Sequence, residues 1–322
     1  LMVSIEDVAK EAGVSIATVS RVLNGSGYVS EETELRVLQA MRKLGYKPSL
    51  TARVLAKKRV FNVGVLISTR ISELLPTELG EFYRIMISAI ENSAEIYRLN
   101  VRIVNFEAEE IPKMDGYIIV GSDMEKEQVE SLAKSSRVVL LDHYIEGLRI
   151  DSIVSDGYDG VYFVTELAIS SGFNTIAHLH GPLKYFGFRD RYNGYIAAMT
   201  KHGRLPLTME YDELHEDVDT ALKKLFRDRK PDLIICSNDV IALQALKKLQ
   251  EWGMRIPEDV SIIGFDDIPS AAKNNLSTLR VQKSEMGLNA VKRLFELLNH
   301  QSTHPYKQCV YATYVKRGSS LV

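Results

Sequence analysis

Residues 4–24 read SIEDVAKEAGVSIATVSRVLN, and the spacing of their apolar side chains decides how the chain begins. Ser4 precedes Asp7 by three positions, the arrangement in which a serine oxygen accepts a bond from an amide one turn on. A helix from there to Ala12 puts Ile5, Val8, Ala9 and Ala12 on one face. Gly13 supplies the backbone freedom for a tight turn, and Ser15 caps a second helix that runs to about Asn24. In that second helix Val14, Val19, Val22 and Leu23 pack inward, which leaves Ile16 and Ala17 as apolar groups in a first turn that is ordinarily polar. A third helix starts at Ser30 and runs to Leu44 before Gly45. Three short helices with a tight turn between the first two describe a helix-turn-helix.

In such a unit the amino-terminal end of the second helix enters the major groove of duplex DNA. Ile16 and Ala17 stand where apolar side chains touch thymine methyl groups, and Arg21, one turn on, suits bidentate pairing with a guanine. Thr18, Ser20 and Asn24 are donors for phosphates; Ser15 at the cap and Tyr28 in the following loop complete the candidate set. Charge agrees. Residues 1–60 carry ten Lys/Arg against six Asp/Glu, while the whole chain sums to −2, so a basic head sits on an acidic body.

The chain of 322 residues is long enough for two or three domains, and 45% apolar with 25% charged residues is ordinary for a globular protein. No run of eighteen apolar residues is present, and the start carries Glu6, Asp7 and Glu11 where a signal peptide would be basic, then apolar. Two cysteines, Cys236 and Cys309, are too few for a disulfide framework, so a cytoplasmic protein is expected, with no membrane partner.

From Asn62 onward short apolar runs alternate with amphipathic stretches. The runs are VGVLIS, VRIVNF, GYIIVG, RVVLLD, SIVSD, TIAHLHG, LIICSND and SIIGFDD, most of them ending in polar residues or glycine. Strands alternating with helices imply parallel sheets covered on both faces. Eight strands exceed one comfortable sheet, so two lobes are expected, with ligand at the carboxyl ends of the strands. The fold class is therefore α/β, with an all-α helix-turn-helix head and two Rossmann-like lobes.

The runs VAKEAGVSIATVSRVLN and VSEETELRVLQAMRKLGYKPSLTARVLA resemble the DNA-binding head of the LacI/GalR family of bacterial repressors across residues 4–56. The resemblance implies a DNA-binding domain at 1–47, a hinge helix at 48–59, and a periplasmic-binding-protein-like sensor at 60–322 that binds a sugar and forms a homodimer. Two hinge helices would pair across the dimer and enter the minor groove, with Ala52 and Leu55 on the DNA and Leu55 wedged between base steps. A helix of that length is marginal alone, so it needs a partner to order. The resemblance also implies ligand contacts from Arg191 in FRDRYNGY, Asn238 beside Asp239 in CSNDVIALQAL, and Asp266 in IIGFDDIP. Asp142 in VVLLDH and Asp156 in IVSDGYDG take equivalent strand ends, with Asp159 competing for the latter place, and Phe82 and Tyr83 match ligand-facing aromatic positions.

Two departures stand out. Only EAEEIPKM separates VRIVNF from DGYIIVG, where the family has a long helix, and Lys283 falls where a ligand-facing aromatic is common. With IPSA after FDD, both features most resemble the branch that represses β-galactosidase operons, while the pair Ile16-Ala17 resembles the galactose-repressor branch. The resemblance implies galactose or a galactoside as effector. The sequence closes on VKRGSSLV without a heptad tail, so a dimer is expected rather than a tetramer.

An enzyme is the competing class. Ser131 with Lys134 and Ser270 with Lys273 have a nucleophile spacing, but their companion motifs are missing and no Gly-rich phosphate loop follows a strand. His178 and His180 in HLHG are read as facing opposite sides of a strand, which argues against a metal pair. No catalytic residue, metal or cofactor is expected. A nearer rival keeps the fold and reverses the sign: a corepressor-dependent regulator, as in the purine branch.

Overall fold

The computed structural model describes residues 3–24, 29–46, 60–300 and 304–322. Tyr28, Ala52, Leu55 and the expected hinge helix at 48–59 lie outside the described residues. The chain divides into two compact units, an amino-terminal head, with which residues 95–99 are grouped, and a large body.

In the head, α1 (Ile5–Ala12), α2 (Ile16–Asn24) and α3 (Glu31–Leu44) form as their caps dictate. Ser4 Oγ accepts the Asp7 amide at 3.3 Å while the Asp7 carboxylate accepts the Ser4 amide at 2.8 Å, so both orphan amides are satisfied. Those bonds hold the Asp7 carboxyl below its usual range. Gly13, at φ 63, ends α1 in the left-handed conformation that a residue with a Cβ rarely adopts. The Thr18 amide donates to Ser15 Oγ at 3.1 Å, and the Thr33 amide to Ser30 Oγ at 3.4 Å. Val8, Ala9, Ala12, Val19, Val37 and Ala40 make a small core, each buried valine contributing about 1.5–3 kcal/mol.

The first lobe of the body contains β1 (Phe61–Ile67), α4 (Thr69–Leu74), a 3-10 turn (Glu78–Gly80), α5 (Glu81–Ile96), β2 (Leu99–Asn105), β3 (Gly116–Val120), α6 (Lys126–Ala133), β4 (Arg137–Leu141) and β5 (Asp151–Asp156). The second contains α7 (Gly157–Ser170), β6 (Ile176–His180), α8 (Phe186–Lys201), β7 (Leu207–Glu210), α9 (Val218–Asp228), β8 (Leu233–Cys236), α10 (Asp239–Glu251), β9 (Ser261–Asp266), α11 (Pro269–Lys273) and β10 (Ser277–Arg280). The chain then returns through α12 (Lys283–Leu298), which packs on β3, β4 and β5, to β11 (Lys307–Tyr311) and β12 (Thr313–Val315). Among the described residues the sheets run β11-β5-β4-β3-β1-β2 and β12-β10-β9-β8-β6-β7. The lobes are thus joined at Asp156–Gly157, between β10 and α12, and at Ala312.

Strands β3, β4, β8 and β9 are apolar runs buried almost throughout, as central parallel strands must be when helices cover both faces. The short link between β2 and β3 holds no helix: Tyr117 Oη donates to the Pro112 carbonyl at 2.7 Å, and Phe106, Ile111 and Met114 cover the core of Leu66, Val104 and Ile119. One expectation is corrected. His178 and His180 are two positions apart, so the strand's period of two puts both on one face, where their rings stack with centroids 5.7 Å apart. His178 is buried, with Nδ1 2.9 Å from the Ile235 carbonyl, and burial holds its pKa down to about 3.

Candidate functional site

Polar residues just beyond the strand ends of both lobes line one cavity of about 70 Å³, where open α/β sheets hold ligands. The first lobe contributes Arg70 after β1, Phe82 and Tyr83 from the first turn of α5, Ser122 after β3 and Asp142 after β4. The second contributes Tyr185, Phe188 and Arg191 from the start of α8, Glu213 after β7, Asn238 after β8 and Asp266 at the end of β9.

Arg191 is 4% exposed. It donates through Nη1 to the Ser237 carbonyl at 2.6 Å and through Nη2 to Asp266 Oδ1 at 3.4 Å, and its guanidinium lies 3.9 Å from the centre of the Phe265 ring. Its Nε is buried with no partner among the described residues. An unpaired buried donor costs about 1–3 kcal/mol, so a ligand oxygen at that atom would be stabilising. The two aspartates are held in uncommon backbone conformations, Asp142 at φ 56 and Asp266 at φ 111; strain of this kind persists where the surroundings enforce it and concentrates at ligand clamps. Burial pushes Asp142 up to about 7 and Asp266 up to about 6, against the pull of Arg191 on both. Glu213 is raised by burial as well. The cavity therefore gathers carboxyl groups poised to accept hydroxyl protons beside guanidinium donors.

Phe82, Tyr83, Asp142, Arg191, Asn238 and Asp266 line this cavity together. Asp156 does not: its Oδ1 accepts the Asp159 amide at 3.1 Å as the cap of α7, so the helix start takes the carboxylate. Lys283 is also turned away, its ammonium donating to the carbonyls of Asp266, Asp267 and Val281. Asn238 has two tasks, since Oδ1 caps α10 through the Ile241 amide at 2.7 Å while Nδ2 reaches Glu213 at 3.2 Å. Asp239 is wholly buried and ties the next strand, accepting from Thr278 Oγ1 at 2.6 Å and from the Ile268 amide at 2.9 Å. A Cβ at Gly264 would lie 2.1 Å from that carboxylate, which explains the glycine inside β9.

Sequence reasoning passed over Arg70, Ser122, Tyr185 and Glu213. Arg70 makes a bidentate pair with Asp123, both contacts 2.9 Å, and lies 4.9 Å from the centre of the Tyr185 ring. The available signal was position, because Arg70 and Ser122 lie within three residues of the ends of β1 and β3, as Asp142 lies just after β4.

In the head, Ser15, Ile16, Ala17 and Arg21 are exposed and Thr18 and Ser20 half-buried, while Val19 is buried on the opposite side of α2. Ile16 is 47% exposed, which excludes a core role for it.

Over residues 4–49 the chain matches bacterial regulatory proteins of the lacI family, and over 165–320 a periplasmic binding protein-like domain. The HTH-type transcriptional repressor PurR of Pasteurella multocida is 31% identical over 317 residues, spanning 94% of this chain and 93% of the relative. The chain belongs to the lacI family. The ribose operon repressor of Halalkalibacterium halodurans, a further relative, is 32% identical over 322 residues, 95% of this chain and 93% of its own length. Among solved structures, the lac repressor dimer bound to operator and the anti-inducer ONPF matches with a TM-score of 0.70 at 26% identity, over 100% of both chains. This lacI-family protein is accordingly a DNA-binding transcriptional repressor with a ligand-binding domain, and not an enzyme. No helix among the described residues is long and apolar enough to cross a membrane.

Proposed function

We propose that this repressor controls a sugar-utilisation operon and leaves its operator when a small sugar, galactose or a galactoside, occupies the cavity between its lobes. The carrying observation is the lining itself: Asp142, Asp266 and Glu213 present carboxyl groups, Arg191 keeps a buried Nε with no partner among the described residues, and Phe82 and Tyr83 bring rings to the same space. A carboxylate takes protons from adjacent hydroxyls, and a flat ring suits the apolar face of a pyranose. Residues 1–47 bind DNA through Ser15, Ile16, Ala17, Thr18, Ser20, Arg21, Asn24 and Tyr28; residues 48–59 form a hinge that contacts DNA through Ala52 and Leu55; residues 60–322 sense ligand and dimerise. Two heads of a homodimer then read two half-sites. Ile16 and Ala17, with the helix-free link between β2 and β3, support the galactoside branch.

A second reading has an observation of its own, since several relatives carry the name PurR: a corepressor of the purine class that tightens operator binding. Operator affinity measured with and without galactose, lactose and hypoxanthine separates the two. Weaker binding with a sugar supports induction. Tighter binding with the base, and no response to sugars, transfers the chain to the corepressor class.

A further inference from the structure

Strands β1, β3, β4 and β5 run parallel, so their first residues share one edge of the first lobe, opposite the edge that holds the cavity. A chamber of about 300 Å³ opens there, lined by Arg137 at the start of β4, Arg149 just before β5, and His300 after α12. Both guanidiniums are exposed, and neither has a hydrogen-bond, ion-pair or ring partner among the described residues. The body's other arginines each have one, except Arg98, which immediately precedes β2. Two free guanidiniums in one concavity match the oxygens of a phosphate, which each can take in a bidentate fork.

The carboxylates at this edge are already engaged. Asp151, which also lines the chamber, accepts Arg293 Nε at 2.7 Å and the Tyr306 amide at 3.1 Å. Asp115, just before β3, accepts the Asn62 amide at 2.8 Å. Lys113 and Lys134, ahead of β3 and β4, add exposed ammonium groups. A positive edge thus stands out on an acidic body.

Register shows which anion is brought to it. Arg137 pairs in register with Gly116 of β3, and Gly116 with Val63 of β1. Neighbouring strands lie about 4.8 Å apart, so Arg137 is about 10 Å from β1. The level is that of Val63, just after Val60, through which the chain passes to the head. The DNA-binding head is therefore tethered to the positive edge of the sheet and not to the one lined with carboxyls.

We propose that this edge is a second phosphate-binding surface for the operator duplex, where Arg137 and Arg149 contact backbone phosphates outside the base pairs that the head reads. Such contacts add affinity and salt dependence without base preference. The surface does not depend on which ligand the cleft takes.

Fluorescence anisotropy of the full chain on a labelled mixed-sequence duplex of about 40 base pairs, longer than two half-sites a helical turn apart, tests this across a range of salt. Combining Arg137→Ala with Arg149→Ala is expected to flatten the slope of log affinity against log salt by about one for each arginine in contact. Combining Lys224→Ala with Lys247→Ala removes the same charge from exposed positions of the second lobe and should leave the slope unchanged. Equal flattening by both pairs would reduce the effect to net charge and overturn the surface, as would no flattening by the arginine pair. Phenylglyoxal modification of the unchanged chain, mapped by mass spectrometry, stands even if a variant fails to fold. The duplex is expected to slow modification of Arg137 and Arg149, and unchanged rates would overturn the contact. Pyrophosphate, titrated by calorimetry, is the arm for a small ligand. Binding of it that the arginine pair variant loses, with the duplex salt slope unaltered, would overturn the operator contact and assign the chamber to a free phosphate compound.

Discussion

Asp142 and Asp266 show how one residue type acquires its role from where a strand ends. Each terminates an apolar run, each is held at positive φ, and each loses water by facing a cavity walled by both lobes. In the native chain they keep protons up to about pH 7 and 6, above the usual carboxylate value of about 4. The folded state therefore binds more protons than the unfolded one across that window, and the stability these groups contribute falls as pH rises through it. Asp142→Asn is expected to flatten the loss of Tm between pH 5 and 8, read by thermal melts in the absence of ligand. A sugar donating hydroxyls favours the ionised carboxylates, so its affinity should rise over the same window with release of protons. Titration in buffers of different ionisation enthalpy measures that release, and proton uptake would contradict the assignment. Arg21, exposed on α2, belongs to the same scale. Arg21→Ala should cost about 1–3 kcal/mol and relax one base position in a binding-site selection, whereas equal losses on all sequences would make it a phosphate contact. The site was legible where polar residues end long apolar runs. Glu213 was not, because the strand before it, LTME, has no such run, and Asp156 misled because a helix cap and a ligand carboxylate look alike in sequence.

Elements were legible to the extent that their apolar residues run together in the sequence. Strands β1 to β6, β8 and β9 announce themselves as apolar runs, whereas β7, β10, β11 and β12 do not. In β10, Ser277 and Thr278 are fully buried yet polar, tolerated because Ser277 Oγ donates to the Arg317 carbonyl at 3.0 Å and Thr278 Oγ1 to Asp239. Strand β11 alternates between exposed and half-buried positions at the edge of its sheet. Distant partners decide these strands, and a local window does not contain them. The same holds for the docking of α12 on the first lobe. Arg293, 2% exposed, donates to Asp151 Oδ1 at 2.7 Å and to the His304 carbonyl at 2.8 Å, tying α12 to β5 and to the approach of β11. Glu296 also pairs with Arg293, at 3.2 Å, so Asp151→Ala removes one of two acidic partners and should cost about 1–3 kcal/mol in urea unfolding. A loss below about 1 kcal/mol would show that the pair is hydrated like a surface bridge. For the proposed hinge, Leu55→Ala should reduce the operator bend in circular-permutation gels, and an unchanged bend angle would count against a wedge.

At the scale of the whole molecule, the proposed control is a linkage between two binding events on units with separate cores. The basic head gains affinity for DNA by neutralising phosphates, so operator binding should weaken steeply with salt. The cavity's carboxyls and Arg191 are buried in the body, where salt screens far less, so sugar affinity should change little over the same range. If sugar lowers operator affinity by a given factor, saturating operator must lower sugar affinity by that same factor, because both express one coupling free energy. Sugar titrations with and without a saturating operator duplex, at one fixed salt concentration, measure the second factor; operator titrations with and without sugar measure the first. Equal factors above one in both directions are expected of an inducer, and equal factors with the opposite sense of a corepressor. Sugar affinity unaffected by operator, on a chain that binds both, would mean that occupancy of the cavity does not reach the head.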